Sequence, residues 1–212
     1  IDGGDNYVIF DTTHADTLDL ESQLFYNTRA DSTFKLPSNI IALHNAFAGA
    51  HNQAAFSANE HRFLNNLFIP APTKVRRGKI LIVSNRAAQP GALSDYNGFR
   101  LVPEVMQDQP FVFEQQLQFA TLAEYAKASG METHSILVPG YEELFVNVPE
   151  PREDELYRLE GLDFRLKPGT PAIDAGTFIP NINEHYTGEA PDLGPLELGQ
   201  PMHAFDLEKV QG

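Results

Sequence analysis

The sequence predicts an all-β solenoid, with short strands wound into coils, followed by an irregular C-terminal section containing one short helix. Three observations lead there: two similar segments 21 residues apart, an asparagine repeated at that spacing, and 15 glycines with 15 prolines to turn the chain. Residues 39–47 read NIIALHNAF and residues 60–68 read EHRFLNNLF, so Leu43 meets Leu64, Asn45 meets Asn66 and Phe47 meets Phe68. An offset near 20 residues suits one coil of short strands joined by corners. A corner between strands needs a left-handed residue, and asparagine tolerates that conformation better than other non-glycine residues. Coils stack ~4.8 Å apart, so aligned amides can hydrogen-bond up the stack as a ladder, with leucine and phenylalanine columns inside. The competing reading is two chance matches between ordinary strands.

The remaining elements follow in order. QLFYN at 23–27 is a looser copy ending in Asn27, and ILIVSN at 80–85 is a further one ending in Asn85. RAAQPGALSDYNGF at 86–99 is turn-rich, broken by Pro90-Gly91 and Asn97-Gly98. VFEQQLQF at 112–119 alternates with period two and predicts one strand. TLAEYAKASG at 121–130 predicts a helix, with Thr121 and Glu124 at capping-box spacing, Leu122, Tyr125 and Ala126 on one face, and Gly130 as its stop. ELFVNVP at 143–149 reads as a strand, PREDELYRLEG at 151–161 as an acidic turn, and the chain after Gly176 as mostly loop. The division expected is coils over 1–100 and a wrapping section over 101–212.

Composition narrows the function. The net charge of −14, from 15 basic and 29 acidic residues, argues against a nucleic-acid or polyphosphate partner, which needs a basic surface. With no cysteine there are neither disulfides nor thiolate metal sites. No run approaches the ~18 apolar residues of a membrane span. The chain opens Ile1-Asp2-Gly3-Gly4 without methionine, and the expectation is a processed protein or the C-terminal part of a longer one.

Two phrases carry a family resemblance. FRLKPGTPAIDAG at 164–176, followed by APDLGPLELG at 190–199, resembles the C-terminal end of bacterial right-handed parallel β-helix repeat proteins. In that family a phrase like L-x-P-G-S-P-A-I-D-A-G and a later D-I-G-A-x-E close the chain, matched here by Leu166 to Gly176 and by Asp192-Leu193-Gly194-Pro195-Leu196-Glu197. LSDYNGF at 93–99 is similar to the family's segment leaving the stacked coils, and Glu132-Thr133-His134-Ser135 to its continuation after the helix. The resemblance covers most of residues 39–200 and implies a right-handed parallel β-helix. It further implies export, to the medium, the periplasm or the cell surface, and action on or binding of polysaccharide as a lyase or glycoside hydrolase. The alternative is a non-catalytic structural module stacked on another chain. Family members have more coils upstream, so the first coil is expected to be covered by the missing N-terminal part or by a second chain, since open strand edges aggregate.

Candidate chemistry lies around the two similar coils. If Leu43, Asn45 and Phe47 point inward, His44 points outward beside Asn65 and Phe63, a polar and aromatic patch suited to a sugar ring and equally an ordinary solenoid face. His51, Glu60, His61 and Arg62 cluster around the intervening loop. A lyase needs a base beside a carboxylate and a cation to neutralise it. Arg62 and the run Lys74 to Lys79 supply positive charge, and a solvated edge explains that run as well. The catalytic candidates are therefore His44, His61 and Arg62, and the substrate-binding candidates Phe63, Asn65, Lys74 and Arg76. Paired carboxylates for hydrolysis are available in Asp11, Asp16, Asp19 and Asp95, but no spacing selects two. His14 and Asp16 offer two nitrogen or oxygen ligands, and Thr12 to Asp16 reads equally as a plain turn. Corner Asp and Asn residues offer oxygens suited to Ca²⁺, no spacing picks out a metal set, and no cofactor is expected. Asp174, within FRLKPGTPAIDAG, reads as an acceptor for turn N–H groups rather than as a reacting group.

Overall fold

The computed structural model describes residues 41–48, 54–56, 62–72, 81–83, 93–104, 106, 108–113, 117–152 and 161–200. The described chain is mostly β, with short parallel strands in stacked sheets and two short helices. Its elements are β1 (Ile41–Leu43), β2 (Ala46–Ala48), β3 (Ala54–Phe56), β4 (Arg62–Leu64), β5 (Leu67–Ile69), β6 (Leu81–Val83), β7 (Leu93–Asp95), β8 (Gly98–Phe99), β9 (Phe111–Phe113) and β10 (Leu117–Phe119). Helix α1 (Leu122–Ser129), β11 (Ile136–Leu137), α2 (Tyr141–Leu144), β12 (Phe145–Asn147) and β13 (Asp163–Leu166) follow.

Strands of two or three residues cannot hold themselves, and each is stabilised by neighbours one circuit away. The chain visits three sheets in rotation: β1-β4-β7, then β2-β5-β8-β11, then β3-β6-β9-β10. All pairings in the first two sheets are parallel, as are β3 with β6 and β6 with β9. Ile41 pairs with Arg62 and Ala46 with Leu67, which reproduces the spacing seen in the sequence. The third circuit pairs Arg62 with Leu93 and Leu67 with Gly98. It is therefore LSDYNGF, read as turn-rich, that continues the repeat. ILIVSN does not, because β6 lies in the third sheet between β3 and β9. The longer connection before Leu93 hides the third copy from any search at a fixed period.

All of β5 is buried, with successive side chains facing opposite ways. Phe68 points into the stack, in a core shared with Ala42, Phe63, Phe99, Phe111 and Tyr125. Leu67 and Ile69 face the other way, into a second core with Val138, Tyr141, Leu144, Phe145, Leu166, Ala172 and Leu193. Phe47, Phe68 and Phe99 stack nearly parallel, with centroids 5.0 and 5.2 Å apart. One strand is thus covered on both faces, first by its own circuits and then by the wrapped C-terminal chain.

The stack ends in antiparallel and helical structure. VFEQQLQF is not a single strand: β9 and β10 pair antiparallel, with Phe111 opposite Phe119 and Phe113 opposite Leu117. Helix α1 forms where the capping signals place it, with both arms of the Thr121–Glu124 box made and Gly130 left-handed at its end. Leu122 and Tyr125 are its buried face. Of the ELFVNVP stretch, Phe145 to Asn147 is a strand, preceded by α2 and paired antiparallel with β13. The QLFYN segment and residues 153–160 of the acidic stretch at 151–161 lie outside the described residues.

Candidate functional site

The corner between the first and second sheets carries the polar chemistry. Three rows of residues superpose there, because the pairings on either side of the corner hold the same offset, and residues 132–135 add a fourth through the β11–β8 pairing and the Glu132 N–H on the Ser94 carbonyl. His44, Asn65 and Tyr96 occupy the turning position with φ of 55°, 60° and 54°, and His134 takes the same level above them. The asparagine expected at this left-handed position is actually its neighbour. Asn45, Asn66 and Asn97 follow the turn and point inward, where they form the expected ladder. Nδ2 of Asn45 donates to Oδ1 of Asn66 at 3.3 Å, and Nδ2 of Asn66 to Oδ1 of Asn97 at 3.0 Å.

The ladder has a built terminus. Nδ2 of Asn97 donates to Oε2 of Glu132 at 3.0 Å, and its backbone N–H donates to Oγ of Ser135 at 2.8 Å. Ser135 stands where the next asparagine would be, and its hydroxyl and that of Ser94 both donate to Glu132. Glu132 is buried, and burial pushes its carboxyl up to about 7 against the pull of the Ser135, Ser94 and Asn97 hydrogen bonds.

Outside the corner lies a second arrangement. Asp95 closes β7 and turns its carboxylate outward, accepting from the Tyr96 N–H at 2.9 Å and the His134 N–H at 2.7 Å. Its Oδ2 lies 2.7 Å from Nδ1 of His134 and takes the Thr133 hydroxyl at 3.0 Å. A carboxylate only accepts, so Nδ1 carries a proton, and it is the neutral form of the ring that presents a lone pair at Nε2. The imidazole is 59% exposed and stacks on Tyr96 with centroids 4.6 Å apart. Arg62, exposed at the start of β4, shares this outer face; two residues along and one strand over put its α-carbon about 8 Å from that of Asp95. It makes no ion pair with a described residue.

The predicted residues divide. His44 and Asn65 come together, with Nδ2 of Asn65 2.9 Å from Nε2 of His44. Neither is freely exposed: Asn65 is fully buried, His44 is half-buried, and both bond to residues of the 177–194 segment. Phe63, expected outside, is 6% exposed in the inner core, because the left-handed corner resets the alternation that the sequence reading ran straight through it. Arg62 is exposed. His61, Lys74 and Arg76 lie outside the described residues, as do His14, His51, Glu60, Asp11, Asp16 and Asp19. Sequence reasoning missed His134; the signal that finds it is the alignment of THS at 133–135 with DYN at 95–97, which needs an offset of 38.

Asp174 acts as its turn reading expects. Its Oδ1 accepts from the Glu189 and Ala190 N–H groups at 2.8 and 3.2 Å, and its own N–H donates to Asp192 at 2.8 Å. Among the described residues no cluster of three His, Asp or Glu side chains could hold a metal ion, and no helix is long and apolar enough to cross a membrane. Comparison with known proteins finds no matching family model, no similar curated protein and no similar solved structure.

Proposed function

We propose that the chain is the C-terminal end of an exported right-handed parallel β-helix protein that acts on acidic polysaccharide, in the manner of a lyase. The observation carrying this reading is the Asp95–His134 pair, 2.7 Å apart, with Nε2 turned outward from an aromatic platform. Asp95 fixes the tautomer, so His134 is set to take a proton at Nε2. Arg62 on the same face would pair with a sugar carboxylate and stabilise the charge that develops as that proton leaves. Elimination then balances: the C–H proton passes to Nε2, its electron pair forms the double bond, the glycosidic C–O bond breaks, and the leaving oxygen takes a proton from the His134 imidazolium or from water. The stacked Tyr96 and His134 offer the flat surface on which a sugar ring packs. Coils upstream, or another chain covering the first circuit, would complete the groove.

The intact protein should be offered acidic and neutral glycans while unsaturated product and reducing ends are followed. His134→Ala is expected to lower kcat/KM by roughly 10²-fold or more, and Arg62→Ala to raise KM for acidic glycans alone. Because His134 is mostly exposed, its thermal midpoint should barely move. Activity unchanged in both variants would remove the site.

A second reading is favoured by the ladder's terminus. Glu132 and Ser135 close the hydrogen-bonded column and α1 covers the last circuit, which is what a structural end module requires. Glycan binding without turnover in either assay would select it.

A further inference from the structure

We propose that His44 is a pH-operated latch, which in its neutral form holds the closing segment 177–194 on the stack and on protonation releases it. The geometry leaves the imidazole one protonation state. Nδ1 lies 3.2 Å from the Gly194 carbonyl, which only accepts, so Nδ1 carries a proton. Nε2 lies 2.9 Å from Nδ2 of Asn65 and 2.8 Å from Nδ2 of Asn183, both donors. Neither amide can turn over. Oδ1 of Asn65 is held by the Thr177 N–H at 2.8 Å while Nδ2 donates to the Thr177 carbonyl at 2.8 Å. Oδ1 of Asn183 is held by the Ile179 N–H at 2.7 Å, and its Nδ2 also reaches the Thr177 carbonyl. A proton added at Nε2 would therefore face two N–H donors, and relieving it means breaking the hydrogen bonds that dock Thr177 and Ile179.

Among the described residues the surrounding charges are few. There Asp192 is the charged group facing His44, and its carboxylate already accepts from the Asp174 and Leu198 N–H groups at 2.8 and 2.6 Å. Glu197 accepts from the Asp192 N–H, and Asp174 from Glu189 and Ala190. From the corner that follows β4 the neighbour is the neutral Asn65. Burial lowers the His44 value from 6.5, and the Gly194 and Asp192 carbonyls and the Asp192 charge offset this only in part. The sign follows: the released segment binds the extra proton more readily than the docked one, so docking is full above about 6.5 and weakens as pH falls toward the lowered value.

Amide hydrogen exchange of the intact protein tests this. The reporters are the Thr177, Ile179 and Gly194 N–H groups, with Arg100, bonded to the Phe68 carbonyl inside the stack, as the internal control. After correction for intrinsic exchange, reporter protection should fall between pH 7 and 5 by up to about tenfold per pH unit, the limit for one linked proton, while Arg100 stays protected. His44→Gln, and His44→Asn as the variant matched to the left-handed corner, should flatten that dependence. Wild-type reporter protection that is constant from pH 7 to 5, or variants with the wild-type slope, would overturn the latch.

Discussion

Asn66 fills all its side-chain hydrogen-bonding positions inside the stack. Oδ1 accepts from the Asn45 backbone and side chain, and Nδ2 donates to the Ala42 carbonyl and to Asn97. A buried amide is tolerated in an apolar core only when satisfied in this way. The same logic meets its limit at Glu132, where three donors converge on a carboxyl that burial still pushes up to about 7. Its ordinary value is 4.5, so the folded state holds the proton more tightly. Stability from this group is complete below about 4.5 and is lost as pH rises through about 7, a loss on the order of 3 kcal/mol for a shift of this size. The effect of His44 has the opposite sign, so the two partly cancel in the wild type. Glu132→Gln isolates the first: the wild-type-minus-variant difference in unfolding free energy should shrink steadily from pH 4.5 to 7.5 in denaturant titrations. A flat difference would show Glu132 ionised throughout.

Among the elements, β5 and its neighbours carry the inner core through Phe68, sandwiched between Phe47 and Phe99. Phe68→Ala removes both stacks and opens a void that short hydrogen-bonded strands cannot close. The expected cost is about 4 kcal/mol, read from the denaturation midpoint. Leu137→Ala, at a side chain 49% exposed, should cost well under 1 kcal/mol. The elements were unequally legible in the sequence. Helix α1 carried its own signals in Thr121, Glu124 and Gly130, all local, and it forms as read. The first two circuits were legible because nothing lengthens the chain between them. The third was not: the chain between Phe68 and Leu93 is longer, and Asn97 sits in a run whose Asn-Gly pair looks like a free turn. Of the proposed site, Arg62 was named in the sequence from its charge, whereas His134 meets Asp95 only through the stacking of the corner, which sequence spacing does not display.

At the scale of the whole molecule, the C-terminal section acts as an outer layer. It covers Leu67 and Ile69, anchors through the Tyr141 hydroxyl on the Ile69 carbonyl, and is clasped by Arg100, which binds Glu150 at 2.6 and 2.8 Å and the Pro70 carbonyl at 3.0 Å. Closure depends on close approach at Gly176, whose N–H donates to the Pro191 carbonyl at 2.7 Å. A Cβ there would stand 2.7 Å from that carbonyl oxygen and 3.0 Å from Cγ of Asn65. Gly176→Ala is therefore expected to loosen the closing segment while the stacked circuits persist. Limited proteolysis should cut within 178–190 at least tenfold faster with the far-ultraviolet circular dichroism unchanged; equal cleavage rates would show that the segment docks without this contact.

The asparagine column has one further consequence. Every amide in it donates in the same direction, from Asn45 through Asn66 and Asn97 to Glu132, so the stack has a polarity and each circuit is addressed by its asparagine rather than by its length. Successive circuits can then differ widely in residue count, as the steps from Ile41 to Arg62 and from Arg62 to Leu93 do, without slipping register. Surface loops are free to vary under a fixed internal index, and new chemistry at the corner can be acquired one circuit at a time.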